Sequence, residues 1–209
     1  EFFTVVSELD ANRYGCTDFD AINYDPIANT DDGSCYYSIQ QEISLQGGML
    51  NNIALCLDLG NPSVSNVFNN NDVVFVTDDE GNYYIPGNNV NTIENIQNKN
   101  GYQVLLAGQN NQTLIAEGYP LDFTETPITL EPFTLNNMPY LPSEVTTAED
   151  FAHNLPIVFC SDDEGHYFIP SAGVNTIDAS GGMKPGKGYQ VLISGTESIE
   201  FVYGEPNGA

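Results

Sequence analysis

Short runs of β-branched and aromatic residues recur along the chain, broken every few positions by Gly, Asn, Asp or Pro. Val73 to Val76 and Tyr83 to Ile85 flank the segment Asp78-Asp79-Glu80-Gly81. That arrangement predicts a hairpin built on a type I turn, with Gly81 in the left-handed bulge position. A side chain there would resist positive φ, which is why glycine is expected. Tyr102 to Leu106 and Thr113 to Glu117 read as two further strands around a turn at Gly108 to Asn111. Tyr189 to Ser194 follows the turn Lys184-Pro185-Gly186-Lys187-Gly188, and Ser198 to Tyr203 is its expected partner. Helical stretches are few. Ser63 to Phe68 and Thr147 to Ala152 are the best, each opened by a hydroxyl residue able to cap.

The pattern occurs twice. Val73 to Pro86 matches Ile157 to Pro170, including Asp78-Asp79-Glu80-Gly81 against Asp162-Asp163-Glu164-Gly165. Val90-Asn91-Thr92-Ile93 matches Val174-Asn175-Thr176-Ile177, and Gly101 to Leu106 matches Gly188 to Ile193. Upstream, Ile43-Ser44-Leu45 and Leu50-Asn51-Asn52-Ile53 match Ile128-Thr129-Leu130 and Leu135-Asn136-Asn137-Met138. The offset drifts from 84 (Asp78 to Asp162) to 87 (Gly101 to Gly188), as small loop insertions would cause. The expected fold class is all-β: two tandem small β-barrels or sandwiches behind a short disulfide-closed acidic loop module. The expected boundaries are 1–36 for the N-terminal strand and acidic module, 37–122 for the first repeat and 123–209 for the second. Residues 119 to 127 serve as connector. The copies are compatible with separate beads or with pseudo-symmetric packing.

Composition narrows the function. The chain has 209 residues, 29 Asp and Glu against 4 Lys and Arg, and a formal net charge of −25. Nucleic acid and anionic membrane surfaces both require clustered bases, so neither is an expected partner. Hydrophobic residues at 41%, with 12 Tyr and 11 Phe, supply enough core to set aside a disordered acidic tail. No apolar run approaches the length of a transmembrane helix, and no basic-then-apolar signal peptide is visible. A start at Glu1-Phe2-Phe3 is expected of a processed chain.

The densest chemistry lies between Cys16 and Cys35. Asp18, Asp20, Asn23, Asp25, Asn29, Asp31 and Asp32 fall within this loop. Such a density of oxygen ligands suits calcium, although the EF-hand Glu and flanking helices are missing. A solvated acidic loop is the competing reading. A Cys16–Cys35 disulfide would stabilise the loop by roughly 3 kcal/mol. Phe19, Ile22, Tyr24 and Ile27 are the expected core material. Cys56 and Cys160 occupy non-equivalent positions in the two repeats. They are read either as buried thiols or, in an oxidising compartment, as a bond stapling the repeats together.

Other candidates favour a non-catalytic protein. Asp78-Asp79-Glu80 and Asp162-Asp163-Glu164 resemble paired catalytic carboxylates only superficially, because a hairpin tip provides no cleft and no pKa perturbation. His153 and His166 have no ligand-like spacing to each other or to Cys, and are expected to be exposed. No nucleophile elbow, phosphate loop or dinucleotide fingerprint occurs. The apolar stretch Phe2, Phe3, Val5 and Val6 is a candidate subunit contact. It would pair within its own domain or add to a neighbour's sheet edge, giving a head-to-tail homopolymer. Tyr36, Tyr37 and Tyr83 are candidates for stacking on glycans.

Gly15-Cys16-Thr17-Asp18, Ala21 to Pro26, Ala28 and Asp31-Asp32-Gly33-Ser34-Cys35 together resemble a module of large secreted and surface proteins of marine and Bacteroidetes-type bacteria and some of their viruses. The duplicated unit is similar to a secreted repeat of the same bacteria, through Asp79 to Gly81, Val90 to Ile93 and Pro185 to Val191. It departs at Asn98-Lys99-Asn100-Gly101, which replaces the Pro-Gly-Lys-Gly form, and in having no Trp. The resemblance implies extracellular surface display, adhesion or assembly, and carries over no catalytic residue. The expected function is thus an extracellular structural or adhesive protein, a filament or appendage subunit with a calcium-stabilised module. The alternative is a carbohydrate-binding module.

Overall fold

The computed structural model describes residues 12–153 and 155–204. The chain forms two compact units, Glu1–Ile39 and Gln40–Ala209, so both repeats belong to one unit. Phe2, Phe3, Val5 and Val6 lie outside the described residues.

In the first unit, β1 (Tyr14–Gly15) and β2 (Thr30–Asp31) pair in parallel. Cys16 and Cys35 are joined by a disulfide. Among the described residues of this unit an isolated parallel bridge joins Cys16 to Tyr24, and the rest is turn and irregular backbone.

The first repeat contains β3 (Ile39–Leu45), β4 (Leu50–Ile53), β5 (Leu57–Leu59), α1 (Val64–Val67), β6 (Val73–Thr77), β7 (Tyr83–Ile85), β8 (Val90–Asn91), β9 (Tyr102–Leu106) and β10 (Gln112–Pro120). The second contains β11 (Ile128–Leu130), β12 (Leu135–Pro139), α2 (Ala148–Ala152), β13 (Ile157–Ser161), β14 (Tyr167–Ile169), β15 (Val174–Asn175), α3 (Thr176–Ala179), β16 (Gly188–Ile193) and β17 (Ile199–Phe201). Each repeat builds a five-stranded antiparallel sheet, ordered β4-β9-β6-β7-β8 and β12-β16-β13-β14-β15. A smaller sheet, β3-β10-β5 or β11-β17, completes each repeat. The sheet orders are open, so of the two expected architectures the sandwich-like one is present and a closed barrel is not.

Alternation along the strands explains the layering. In β9, Tyr102, Val104 and Leu106 are buried while Gln103 and Leu105 are less so. Leu45, Leu57, Leu114, Val76 and Val104 from both sheets make the first core. Leu130, Met138, Phe151, Val191 and Tyr203 belong to a separate second core. Its aromatic centre has the Phe201 and Tyr203 rings edge to face at 4.8 Å, with the Tyr203 hydroxyl donating to the Pro139 carbonyl at 2.7 Å.

The hairpin turns follow the expected form, with Gly81 at φ 82° and Gly165 at φ 90°. The helices differ in detail. Thr147 Oγ1 accepts from the Asp150 amide at 2.9 Å, but Ser63 makes no side-chain cap and pairs instead with Ser65. A further helix, α3, follows β15, capped by Asn175 Oδ1 accepting from the Asp178 amide at 3.0 Å. In the first copy the chain turns at Glu94, φ 58°, and that helix does not form.

The repeated Asn pair has a structural explanation. Asn51 Oδ1 accepts from the Gln46 amide at 2.6 Å, and its Nδ2 donates to the carbonyls of Gln46 (3.1 Å) and Val104 (3.2 Å). Asn136 repeats this with Glu131 (2.7 and 3.0 Å) and Val191 (3.1 Å). Each side chain therefore closes the turn before an edge strand and ties it to the neighbouring strand. Asn51→Ala and Asn136→Ala should each leave buried main-chain groups unpaired and cost about 2–3 kcal/mol. Urea unfolding measures the loss, and a change below about 0.5 kcal/mol at either position would contradict this role.

Candidate functional site

β4 and β12 are edge strands of the two large sheets, and each leaves main-chain donors facing away from its sheet. The acidic hairpin of the other repeat covers one of them. Asp163 Oδ2 accepts from the Asn52 amide at 2.9 Å, and Asp79 Oδ2 accepts from the Asn137 amide. The exchange is reciprocal: equivalent residues serve equivalent partners. Two close main-chain approaches accompany it. The Gly101 amide donates to the Asn137 carbonyl at 2.8 Å, and a Cβ on Gly101 would lie 2.2 Å from that oxygen. On the other side the Ala54 amide donates to the Gly186 carbonyl at 3.0 Å, and a Cβ on Gly188 would lie 3.0 Å from the Ile53 carbonyl oxygen.

This corrects the expectation for the acidic tips. Their first residues behave as turn formers: Asp78 Oδ1 accepts from the amides of Glu80 (3.0 Å) and Asn82 (2.9 Å). Of the second residues, Asp163 is partly buried against the other repeat, and Asp79 makes the equivalent bond from a more exposed position. Asp79 also borders a cleft of about 320 Å³ with Glu80, Asn100 and Asn137. Partial desolvation at this contact, the like charges of Asp78 and Glu80 adding to it, pushes the Asp79 carboxyl from 3.8 up to about 6, despite the opposing Asn137 amide bond. A tip residue here thus has both a cleft and a perturbed pKa.

Lys187 completes the second copy. Its Nζ lies 2.8 Å from Asp163 Oδ1 and 3.0 Å from Glu164 Oε1. Burial opposes its charge, but bonds and attraction to Asp163 and Glu164 prevail and raise its pKa. Glu164 is held below its ordinary value by the Lys187 hydrogen bond and charge. Asn52, Asn137 and Lys187 escape notice as functional residues in the sequence. The available signals were the duplicated Asn pair and the position of one Lys in a chain with so few bases.

His166 is half-buried rather than exposed. Its Nδ1 lies 2.7 Å from Asp162 Oδ2, and ligand atoms of Asp162, Glu164 and His166 fall within 4.8 Å of one another, a spacing able to hold a metal ion. The first copy supplies a comparison: Asn82 Nδ2 donates to Asp78 Oδ2 at 2.9 Å in the equivalent place. The contact therefore closes the turn in both copies, through an Asn in one and a His in the other.

In the first unit, six of the seven expected ligands, all but Asp20, accept from main-chain groups. Asp18 Oδ1 accepts from the Asp20 amide, Asp25 Oδ1 from Ile27, Asp31 Oδ1 from Gly33 and Asp32 Oδ1 from Ser34, all at 2.9–3.0 Å. Asn29 Oδ1 accepts from the Arg13 amide at 2.9 Å, and Asn23 joins the Tyr36 amide to the Ser34 carbonyl. The four Asp bonds are Asx turns, for which closely spaced Asp is well suited, and the two Asn side chains tie together segments distant in sequence. The Tyr37 hydroxyl donates to Asp18 Oδ2 at 2.5 Å and holds that carboxyl below its ordinary value. Among the described residues, Asp18, Asp20, Asp25, Asp31 and Asp32 do not gather into a three-carboxylate group. The expected core is also corrected. Phe19 is 78% exposed and Ile27 63%, with Ile22 and Tyr24 exposed as well, while among the described residues of this unit Cys16 and Ala21 are the buried apolar ones.

Cys56 and Cys160 are free thiols, so the expected inter-repeat bond is not formed. The Cys56 thiol lies 3.3 Å from the Tyr140 carbonyl, and Cys160 is buried in β13. Burial raises both thiols, Cys160 to about 12, which leaves them protonated and unreactive. Among the described residues no helix is long and apolar enough to cross a membrane, and the Cys16–Cys35 bond points to an oxidising environment. No protein-family model, curated protein or solved structure matches the chain.

Two outcomes follow. Since Asp79 binds its proton more tightly folded than unfolded, ionising it removes stability as pH rises from about 4 to about 6, and the loss is complete above that. Asp79→Asn keeps an acceptor for Asn137 without the charge. Denaturation midpoints at pH 4.5 and 7.5 should therefore diverge less in this variant than in the wild type, and equal slopes would refute the assignment. Reduction of Cys16–Cys35 should abolish order in residues 12–39 by removing roughly 3 kcal/mol from a unit with almost no core. Amide exchange should show the repeats unaffected.

Proposed function

We propose that the chain is an extracellular structural segment of a surface or appendage protein, non-catalytic, that assembles with further copies of itself. The observation that carries this reading is the use made of the duplicated acidic motif. In both copies its carboxylates bond main-chain groups of the turn and of the other repeat. The motif thus serves rigidity, and its two Asp residues have structural work in each copy. The resemblance of the Cys/Asp block and of the repeats to secreted bacterial surface proteins supports the same reading.

The first unit contributes the contacts. Its side chains Tyr14, Phe19 and Ile27 are all more than 60% exposed, on a scaffold held by a disulfide and Asx turns. A rigid small module with outward-facing aromatic and aliphatic groups is suited to pack against a neighbouring copy. Calcium enters this reading only as an addition to a scaffold that the disulfide and the turns already hold.

The net charge of −25 sets the conditions. Copies repel one another at low ionic strength, and screening shortens to about 8 Å at 0.15 M salt. Electron microscopy and sedimentation of the disulfide-intact chain should show monomers at low salt and oligomers or filaments at high salt or with millimolar calcium. The double variant Phe19→Ser, Ile27→Ser should remain monomeric throughout. A wild-type chain that stays monomeric in every condition would defeat the self-assembly reading.

A second reading has one observation in its favour. Tyr83 and Tyr167, equivalent in the two repeats, are 44% and 40% exposed. A repeated exposed ring is what a glycan-stacking protein would keep. Saturable glycan-array binding lost in Tyr83→Ala and Tyr167→Ala, by chains that remain monomeric, would favour it.

A further inference from the structure

The two repeats place the same acidic hairpin against the same edge strand, and they differ in how its charge is met. In the second copy the residue before Gly188 is Lys187, whose ammonium bridges Asp163 Oδ1 and Glu164 Oε1. The other oxygen of Asp163 accepts from the Asn52 amide. In the first copy the residue before Gly101 is Asn100, which carries no charge. Asp79 still gives one oxygen to the Asn137 amide. Among the described residues no cation lies within 4.0 Å of Asp79 or Glu80. Lys99 borders the same cleft but is exposed and makes no ion pair there.

A second, independent irregularity lies in the same cleft. Asn137 is 95% buried, and its side-chain Oδ1 has no hydrogen-bond partner. The equivalent Asn52 Oδ1 accepts from Gln103 Nε2 at 3.1 Å. An unpaired acceptor that is this deeply buried is unusual and calls for a donor or an ion. Three acceptors are left without partners around this cleft of about 320 Å³, namely one oxygen of Asp79, the Glu80 carboxylate and Asn137 Oδ1, and the exposed Lys99 at its border pairs with none of them. An occupant that satisfies all three must be compact and positive.

We propose that this cleft is a binding site for a hard divalent cation of the calcium class, held by Asp79, Glu80 and Asn137 Oδ1 in the place that Lys187 fills in the other copy. Carboxylate and amide oxygens in an irregular arrangement, completed by water, are what calcium accepts; magnesium demands a regular octahedron and gives up its water reluctantly. The ion would join the hairpin of the first repeat to β12 of the second, so it would bind across the contact between the copies. This site is separate from the Asp18–Asp32 loop and from the Asp162, Glu164 and His166 group.

The test is a calcium titration of the ¹⁵N-labelled, disulfide-intact full chain, followed by NMR. The Asn137 main-chain and side-chain amides and the Gly101 amide should shift saturably, at or below the millimolar range of extracellular calcium modules. Asp79→Asn and Glu80→Gln, both close in shape to the native residues, should each weaken the response at least tenfold. Asn100→Lys should supply the missing ammonium, abolish the calcium response at Asn137 and raise the thermal midpoint without calcium. The proposal is overturned if shifts at Asn137 are absent, if they persist in Asn100→Lys, or if all shifts are confined to residues 18–32. It is likewise overturned if only Lys99→Ala responds, since Lys99 would then be the native occupant.

Discussion

A carboxylate that accepts a main-chain amide from the opposite repeat is the contact on which the larger unit depends. An open edge strand exposes donors that must find water or a partner. Asp79 and Asp163 resolve this for β12 and β4. The close glycine approaches at Gly101 and Gly188 follow from it, because the acceptor reaches its amide only if the neighbouring backbone comes near. Those glycines are required for space, unlike Gly81 and Gly165, which are required for their positive φ.

Drawing a carboxylate out of water has a cost, and the two copies meet it differently. The second supplies an ammonium from its own strand entry. The first does not, and its aspartate accordingly holds its proton more tightly than usual. The duplication acts as an internal comparison throughout: Asn82 explains His166, Lys187 draws attention to Asn100, and Asn52 makes the unpaired oxygen of Asn137 conspicuous.

Much of this was legible in the chain. Alternating β-branched and aromatic residues located β6, β7, β9 and β16, and Asp-Asp-Glu-Gly announced its turn. Local physics decides such features, so local patterns reveal them. The misreadings were non-local. A tip aspartate looks exposed until another repeat is laid over it. Phe19 and Ile27 look like core until the loop proves too small to enclose them. The acidic density looked like a coordination sphere, whereas most of its carboxylates fold the loop one amide at a time. Cys56 and Cys160 are both apolar in context, and pairing them required a proximity that sequence cannot supply.

The reciprocity of the contact has a consequence for symmetry. When residue i of one unit meets residue j of another and the converse also holds, the interface is isologous and saturates itself. The tandem chain is therefore a covalently fused two-fold dimer whose pairing surface is already satisfied within a single polypeptide. Growth into anything longer cannot recruit β4 or β12, because each is capped by its sister repeat. In the large sheets the margins left open by this pairing are β8 and β15.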